Sequence, residues 1–143
     1  MDMQELFAKV AEGAKAESLA DKPIITLGEL IAKLEQHDAT ATVAVEFGGS
    51  LCGFGELASY RGYYSDLAIE PYGTEPGCSV DAALTDLREA VGRTYTGYKG
   101  GDYTMHRRTL VWVDHYGSCS GIGVTGVEVR DGVVVITSAD CEG

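Results

Sequence analysis

The chain has 143 residues, 45% hydrophobic and 23% charged, which fits one globular domain of ordinary size and excludes a disordered, collagenous or coiled-coil chain. Twenty-two acids against 11 bases give a net charge of -11, leaving too few bases for the basic face that a long nucleic acid needs. No apolar run approaches the roughly 18 residues of a membrane-spanning helix.

Met3 to Glu17 is the first helix expected, because Leu6, Phe7, Val10 and Ala14 recur at helical spacing. Met1 to Ala14 is amphipathic and acidic, unlike a secretory signal. The break at Asp21-Lys22-Pro23 sets residues 1–23 apart as a helical extension of a single domain covering residues 1–143. A second helix opens at Thr26, a natural N-cap, and Glu29 three residues later completes a capping box. Leu27, Leu30, Ile31 and Leu34 supply its apolar face. Thr42 to Phe47 alternates like a strand, and Gly48-Gly49-Ser50 reads as a turn. Ser59 to Tyr64 and Leu67 to Tyr72 read as two short strands or one strand with an irregular join.

A third helix starts at Ser79, with Val80, Ala83, Leu84, Leu87 and Val91 on one face and Gly92 as its stop. Strand-like segments follow around Thr94 to Tyr98, Tyr103 to Met105 and Leu110 to His115. Two β-branched runs, Gly123 to Val129 and Val133 to Thr137, flank Asp131-Gly132, a strong hairpin signal. No internal repeat is visible. The order predicts an α+β fold with about three helices on a mostly antiparallel sheet.

Cys52, Cys78, Cys119 and Cys141 are widely spaced and lack a C-x-x-C pair, so reduced thiols and a cytoplasmic location are expected. His37, His106 and His115 show no metal-ligand spacing, and neither a metal nor a cofactor is expected. Ser118, Cys119 or Ser120 could be drawn into a triad with His115 and Asp114, but adjacent strand residues point to opposite faces.

All eight tyrosines lie between Tyr60 and Tyr116. The densest patches are Ser59-Tyr60-Arg61-Gly62-Tyr63-Tyr64 and the run from Thr94 to Tyr103, each interleaving rings, a cation and glycine. Aromatic faces stack on a base, and arginine forks onto phosphate oxygens. Glycine lets a backbone N–H approach a phosphate. Asp66 or Asp102 could accept from ribose hydroxyls. The competing reading is that tyrosines cover a sheet face and glycines mark turns and bulges.

At these stretches the chain resembles a group of small phage-encoded proteins. The resemblance runs over roughly residues 24 to 116, through Thr26-Leu-Gly-Glu-Leu30, Ser59-Tyr-Arg-Gly-Tyr-Tyr64 with Leu67-Ala68-Ile69, and Thr96-Gly-Tyr-Lys-Gly-Gly-Asp-Tyr-Thr-Met105. Within that group it is most similar to the Thoeris anti-defence protein 1 family. The family implies a sponge that binds cyclic ADP-ribose isomers made by bacterial immune enzymes, and in some members cyclic oligonucleotides, without cleaving them. It also implies a homo-oligomer with ligand pockets where protomers meet. Tyr60, Arg61, Tyr63, Tyr64, Tyr98, Lys99 and Tyr103 carry over as ligand-binding candidates, and Arg107, Arg108 and Trp112 join them on chemistry alone. The alternatives are a small nucleotide-processing enzyme, such as a phosphodiesterase or ADP-ribosyl hydrolase, and an acidic inhibitor of a host defence protein.

Overall fold

The computed structural model describes residues 24–60, 63–73, 77–96, 100–115 and 118–140. The helix expected within residues 1–23 lies outside them. Two helices are described, α1 (Leu27–Leu34) and α2 (Val80–Ala90). The strands are β1 (Thr42–Phe47), β2 (Ser50–Tyr60), β3 (Tyr63–Tyr72), β4 (Cys78–Ser79), β5 (Thr94–Thr96), β6 (Asp102–Thr104), β7 (Val111–His115), β8 (Ser118–Arg130) and β9 (Val133–Asp140). The domain is α+β and mostly strand. None of its described helices is long and apolar enough to cross a membrane.

Local chemistry accounts for the helix ends. Thr26 Oγ1 accepts from the Glu29 N–H at 3.1 Å, and the Glu29 carboxylate accepts from the Thr26 N–H at 2.8 Å. This satisfies two of the donors that a helix start leaves open. Ser79 caps α2 by accepting from the Ala82 N–H. Beyond α2, Gly92 takes φ 87, a left-handed conformation that favours glycine.

Six strands close into a barrel in the order β1-β2-β3-β7-β8-β9 and back to β1, with β4 added beside β1. Four junctions are antiparallel. Two are parallel: β3 with β7, and β9 with β1. Closure removes the exposed edges that an open sheet would present. On one face of the strands Val43, Val45, Leu67, Ile69, Val111, Val113, Val134 and Ile136 join the apolar faces of both helices in the main core. Tyr60, Ala68 and Trp112 form a second buried cluster, which half-buried Ile24 flanks.

The sequence shows no repeat, yet the backbone carries one. The unit α1-β1-β2-β3 recurs as α2-β7-β8-β9, with the β5-β6 ribbon inserted after α2. Each unit's first strand pairs in parallel with the other's last: Val43 with Val134, and Val111 with Leu67. The helix entries match as well. The Leu27 N–H donates to the Thr109 carbonyl at 2.7 Å, and the Val80 N–H to the Ala41 carbonyl at 2.8 Å. The Gly28 N–H reaches the Arg107 carbonyl at 2.9 Å, and the Asp81 N–H the Ala39 carbonyl at 3.0 Å. Different side chains satisfy the same backbone bonds, and the inserted ribbon breaks the period.

One strand reading is also revised. Ser59 and Tyr60 end β2 while Tyr63 and Tyr64 begin β3, with Tyr60 opposite Tyr63, so this stretch is not a strand of its own. Gly53 and Gly55 lie inside β2. At Gly55 a Cβ would fall 2.2 Å from the Glu70 carbonyl oxygen, where β2 and β3 shift register. The hairpin at Asp131-Gly132 is as expected, with φ of 51 and 79. Cys52 and Cys78 are free thiols, and burial pushes the Cys78 thiol up, with a smaller push from Asp86.

Candidate functional site

The two tyrosine-rich segments meet. The Tyr64 and Tyr103 rings lie 5.7 Å apart at 27° between planes, and both are half-buried. Tyr64 stands just past the β2-β3 tip, where Ser59 Oγ donates to the Tyr64 carbonyl at 2.5 Å. Tyr103 is the central residue of β6, opposite Tyr95 of β5. The ribbon is anchored at its base. The Met105 N–H donates to the Arg93 carbonyl and the Gly92 N–H to the Met105 carbonyl, over a fully buried Met105 side chain. Thr94 and Thr104 hydroxyls bond each other across it at 2.7 Å. The described parts of the two segments thus share one aromatic junction. Arg61, Tyr98 and Lys99 lie outside the described residues, as does the side chain of Tyr63.

Tyr60 and Trp112 play a different part from the one expected of them. Their rings stack at 4.7 Å with 3° between planes, at 0% and 5% exposure. The Tyr60 hydroxyl accepts from the Ser120 and Gly121 N–H groups, each at 2.9 Å. The Trp112 indole N–H donates to Asp66 at 2.9 Å. Rings so enclosed present no free face to a base, so in this chain both are core residues. Sequence alone could not separate them from the exposed tyrosines, since one ring serves either purpose. Asp66 is committed to the same cluster. Burial pushes its carboxyl above the ordinary range, while the bonds from Trp112 and the Leu110 backbone pull it down. Asp102, the other ribose-acceptor candidate, is exposed and takes a long bond of 3.4 Å from the Thr96 hydroxyl.

Of the proposed nucleophiles, Ser120 donates its hydroxyl hydrogen to the Val113 carbonyl and accepts from the Ile122 N–H. That hydroxyl is spent on the β7-β8 backbone. Asp114 is buried at 6% exposure.

A cleft of about 340 Å³ opens beside the ribbon, lined by Glu56, Leu57, Asp86, Glu89, Arg93 and Tyr95. Its single guanidinium lies 5.0 Å from the Tyr95 ring centre. Three carboxylates against one cation make it a poor phosphate site. Burial raises the Tyr95 hydroxyl above its ordinary range, with Arg93 opposing. No sequence pattern marks this cleft, because β2, α2 and β5 each contribute to it. Arg107 and Arg108 line a different depression, of about 460 Å³, together with His106.

No protein-family model, curated protein or solved structure matches this chain. Among the described residues no group of three or more His, Cys, Asp or Glu side chains is placed to hold a metal ion.

Proposed function

We propose that the protein binds a nucleotide-type immune signal at the Tyr64–Tyr103 junction and holds it without cleaving it. A cyclic ADP-ribose isomer is the first ligand to test. The reading is carried by one observation: the two aromatic, glycine-rich segments, distant in sequence, are brought into ring contact through Tyr64 and Tyr103. Both rings keep part of their surface open to solvent, as a base-stacking platform requires. Arg61 and Lys99, which belong in sequence to the same two segments, supply the phosphate partners in this reading. The bonds that tie up the Ser120 hydroxyl favour holding over turnover, since they leave it no free nucleophilic role. Nanomolar retention needs about 12 kcal/mol, within reach of stacked rings and desolvated phosphate contacts. A second protomer closing over the junction would enclose the ligand further, and a cytoplasmic homo-oligomer is part of the proposal.

Calorimetric titration with cyclic ADP-ribose isomers and cyclic di- and trinucleotides, followed by heat denaturation and assay of the released nucleotide, tests it. Tight binding with intact ligand recovered is the expected result, and converted ligand would make the protein an enzyme. Arg61→Ala and Tyr103→Ala should each weaken binding in a folded protein. Unchanged affinity in both would remove the junction as the site.

A further inference from the structure

The duplicated fold contains its own control for Arg107 and Arg108. The turn before β7 and the turn before β1 share one hydrogen-bond pattern. In the first, the Arg108 N–H donates to His106 Nδ1 at 3.1 Å and the Thr109 N–H to the His106 carbonyl at 3.0 Å. In the second, the Thr40 N–H donates to Asp38 Oδ1 at 2.9 Å and the Ala41 N–H to the Asp38 carbonyl at 3.0 Å. Position for position, His106-Arg107-Arg108 corresponds to Asp38-Ala39-Thr40. The turn is built equally well with alanine and threonine, so its geometry does not call for the two arginines.

Charge balance makes their presence more informative. The chain has 22 acids and 11 bases. Arg88 pairs with Glu35, Arg130 with Glu46 and Glu128, and Arg93 lies over Tyr95. Among the described residues, Arg107 and Arg108 have no acidic partner. A Cβ at Gly28 would lie 3.1 Å from Arg107 Cβ, whereas α2 carries Asp81 at the equivalent place. His106 completes the set. With Nδ1 accepting, the neutral ring carries its proton on Nε2, a donor free of the turn. The N–H groups at the start of α1 are bonded to Thr109, Arg107 and Thr26, so the helix amides take no part.

We infer that His106, Arg107 and Arg108 form an oxyanion site for a terminal phosphate, whose two charges match the two guanidinium groups. Its lining residues differ from those of the Tyr64–Tyr103 junction, and the inference does not rest on the function proposed there. The phosphate could belong to a nucleoside monophosphate or be free inorganic phosphate.

The test replaces the basic turn with the residues its counterpart already carries. Arg107→Ala with Arg108→Thr keeps a backbone conformation that the fold accommodates elsewhere, and circular dichroism checks that it does. Native protein is titrated with inorganic phosphate, adenosine monophosphate and cyclic ADP-ribose at low and at physiological salt. Phosphate and the monophosphate should bind, more weakly as salt rises, and the double variant should lose about tenfold or more of that affinity. Its affinity for cyclic ADP-ribose should not change. Tighter binding of the monophosphate than of phosphate identifies a nucleotide as the source, and equal binding identifies the free ion. Absence of phosphate binding to native protein, or equal affinity in a folded double variant, overturns the site. Loss of cyclic ADP-ribose binding together with phosphate would overturn its separateness.

Discussion

Tyr60→Phe tests the reassignment of that residue from ligand contact to core. The substitution keeps the ring that stacks on Trp112 and removes only a hydroxyl, whose oxygen accepts two backbone N–H groups at 2.9 Å. The Gly121 bond is buried and the Ser120 bond partly so. Leaving a buried donor unpaired costs about 1–3 kcal/mol. Water can reach the partly buried amide, so its share is smaller, and the expected total is about 2–3 kcal/mol. That is a large fraction of the 5–15 kcal/mol typical of a folded domain, and corresponds to a Tm lowered by roughly 6–9 °C at this size. Trp112, the chain's single tryptophan, reports directly because it lies against the altered ring. Urea titrations followed by its fluorescence and by far-ultraviolet circular dichroism should shift together to a lower midpoint with unchanged slope. The nucleotide affinity proposed for the native protein should be unchanged in the folded variant, since the ring is fully covered. A loss of stability below about 0.5 kcal/mol would refute the hydroxyl's structural role. A change in affinity without a change in stability would restore Tyr60 to the ligand site.

Three further outcomes follow from local geometry. Gly55→Ala places a Cβ 2.2 Å from the Glu70 carbonyl oxygen, so β2 or β3 must move, and thermal unfolding should show about 1–3 kcal/mol of destabilisation. Thr26→Ala removes one half of the α1 capping box and should cost about 1 kcal/mol in urea titrations, with Thr26→Ser recovering most of it. Burial raises the Asp66 carboxyl above its ordinary 3.8, so the folded chain keeps a proton that the unfolded chain has released. That contribution to stability is full below 3.8 and is lost as pH rises through the window just above it. Asp66→Asn should flatten this decline in urea midpoints measured from about pH 3.5 to 6, and an unchanged profile would refute the assignment.

What could be read from the sequence was local. The Thr26–Glu29 box, the Ser79 cap, the Gly92 stop and the Asp131-Gly132 hairpin each depend on residues within a few positions of one another. Barrel closure depends on pairings such as Val43 with Val134, whose partners no short pattern connects. Both aromatic segments were visible as separate patches, but only the fold puts Tyr64 against Tyr103. Composition also could not sort the rings. Tyr60 and Tyr64 stand four residues apart in one patch, and the pleat of the hairpin sends one into a stack and leaves the other half-open.

The duplication explains where chemistry can be placed on such a fold. What both units share must serve the scaffold: the helix caps, the parallel pairings and the apolar strand positions. What one unit alone carries is free of that duty. The β5-β6 ribbon follows α2, whereas α1 runs on to its turn through only a few residues. The β2-β3 hairpin also reaches further than its counterpart. Tyr63 to Asp66 separate its tip from the parallel register at Leu67, while Val133 alone precedes the register position Val134. These two unmatched features are the ones that meet at Tyr64 and Tyr103. The basic turn at His106 to Arg108 is the third departure, since its counterpart carries no arginine. Tyr103→Ala, which removes a half-buried ring at the core's margin, should therefore weaken the proposed nucleotide binding at less expense to the barrel than truncating fully buried Val43 or Val111, where a change should act on stability alone.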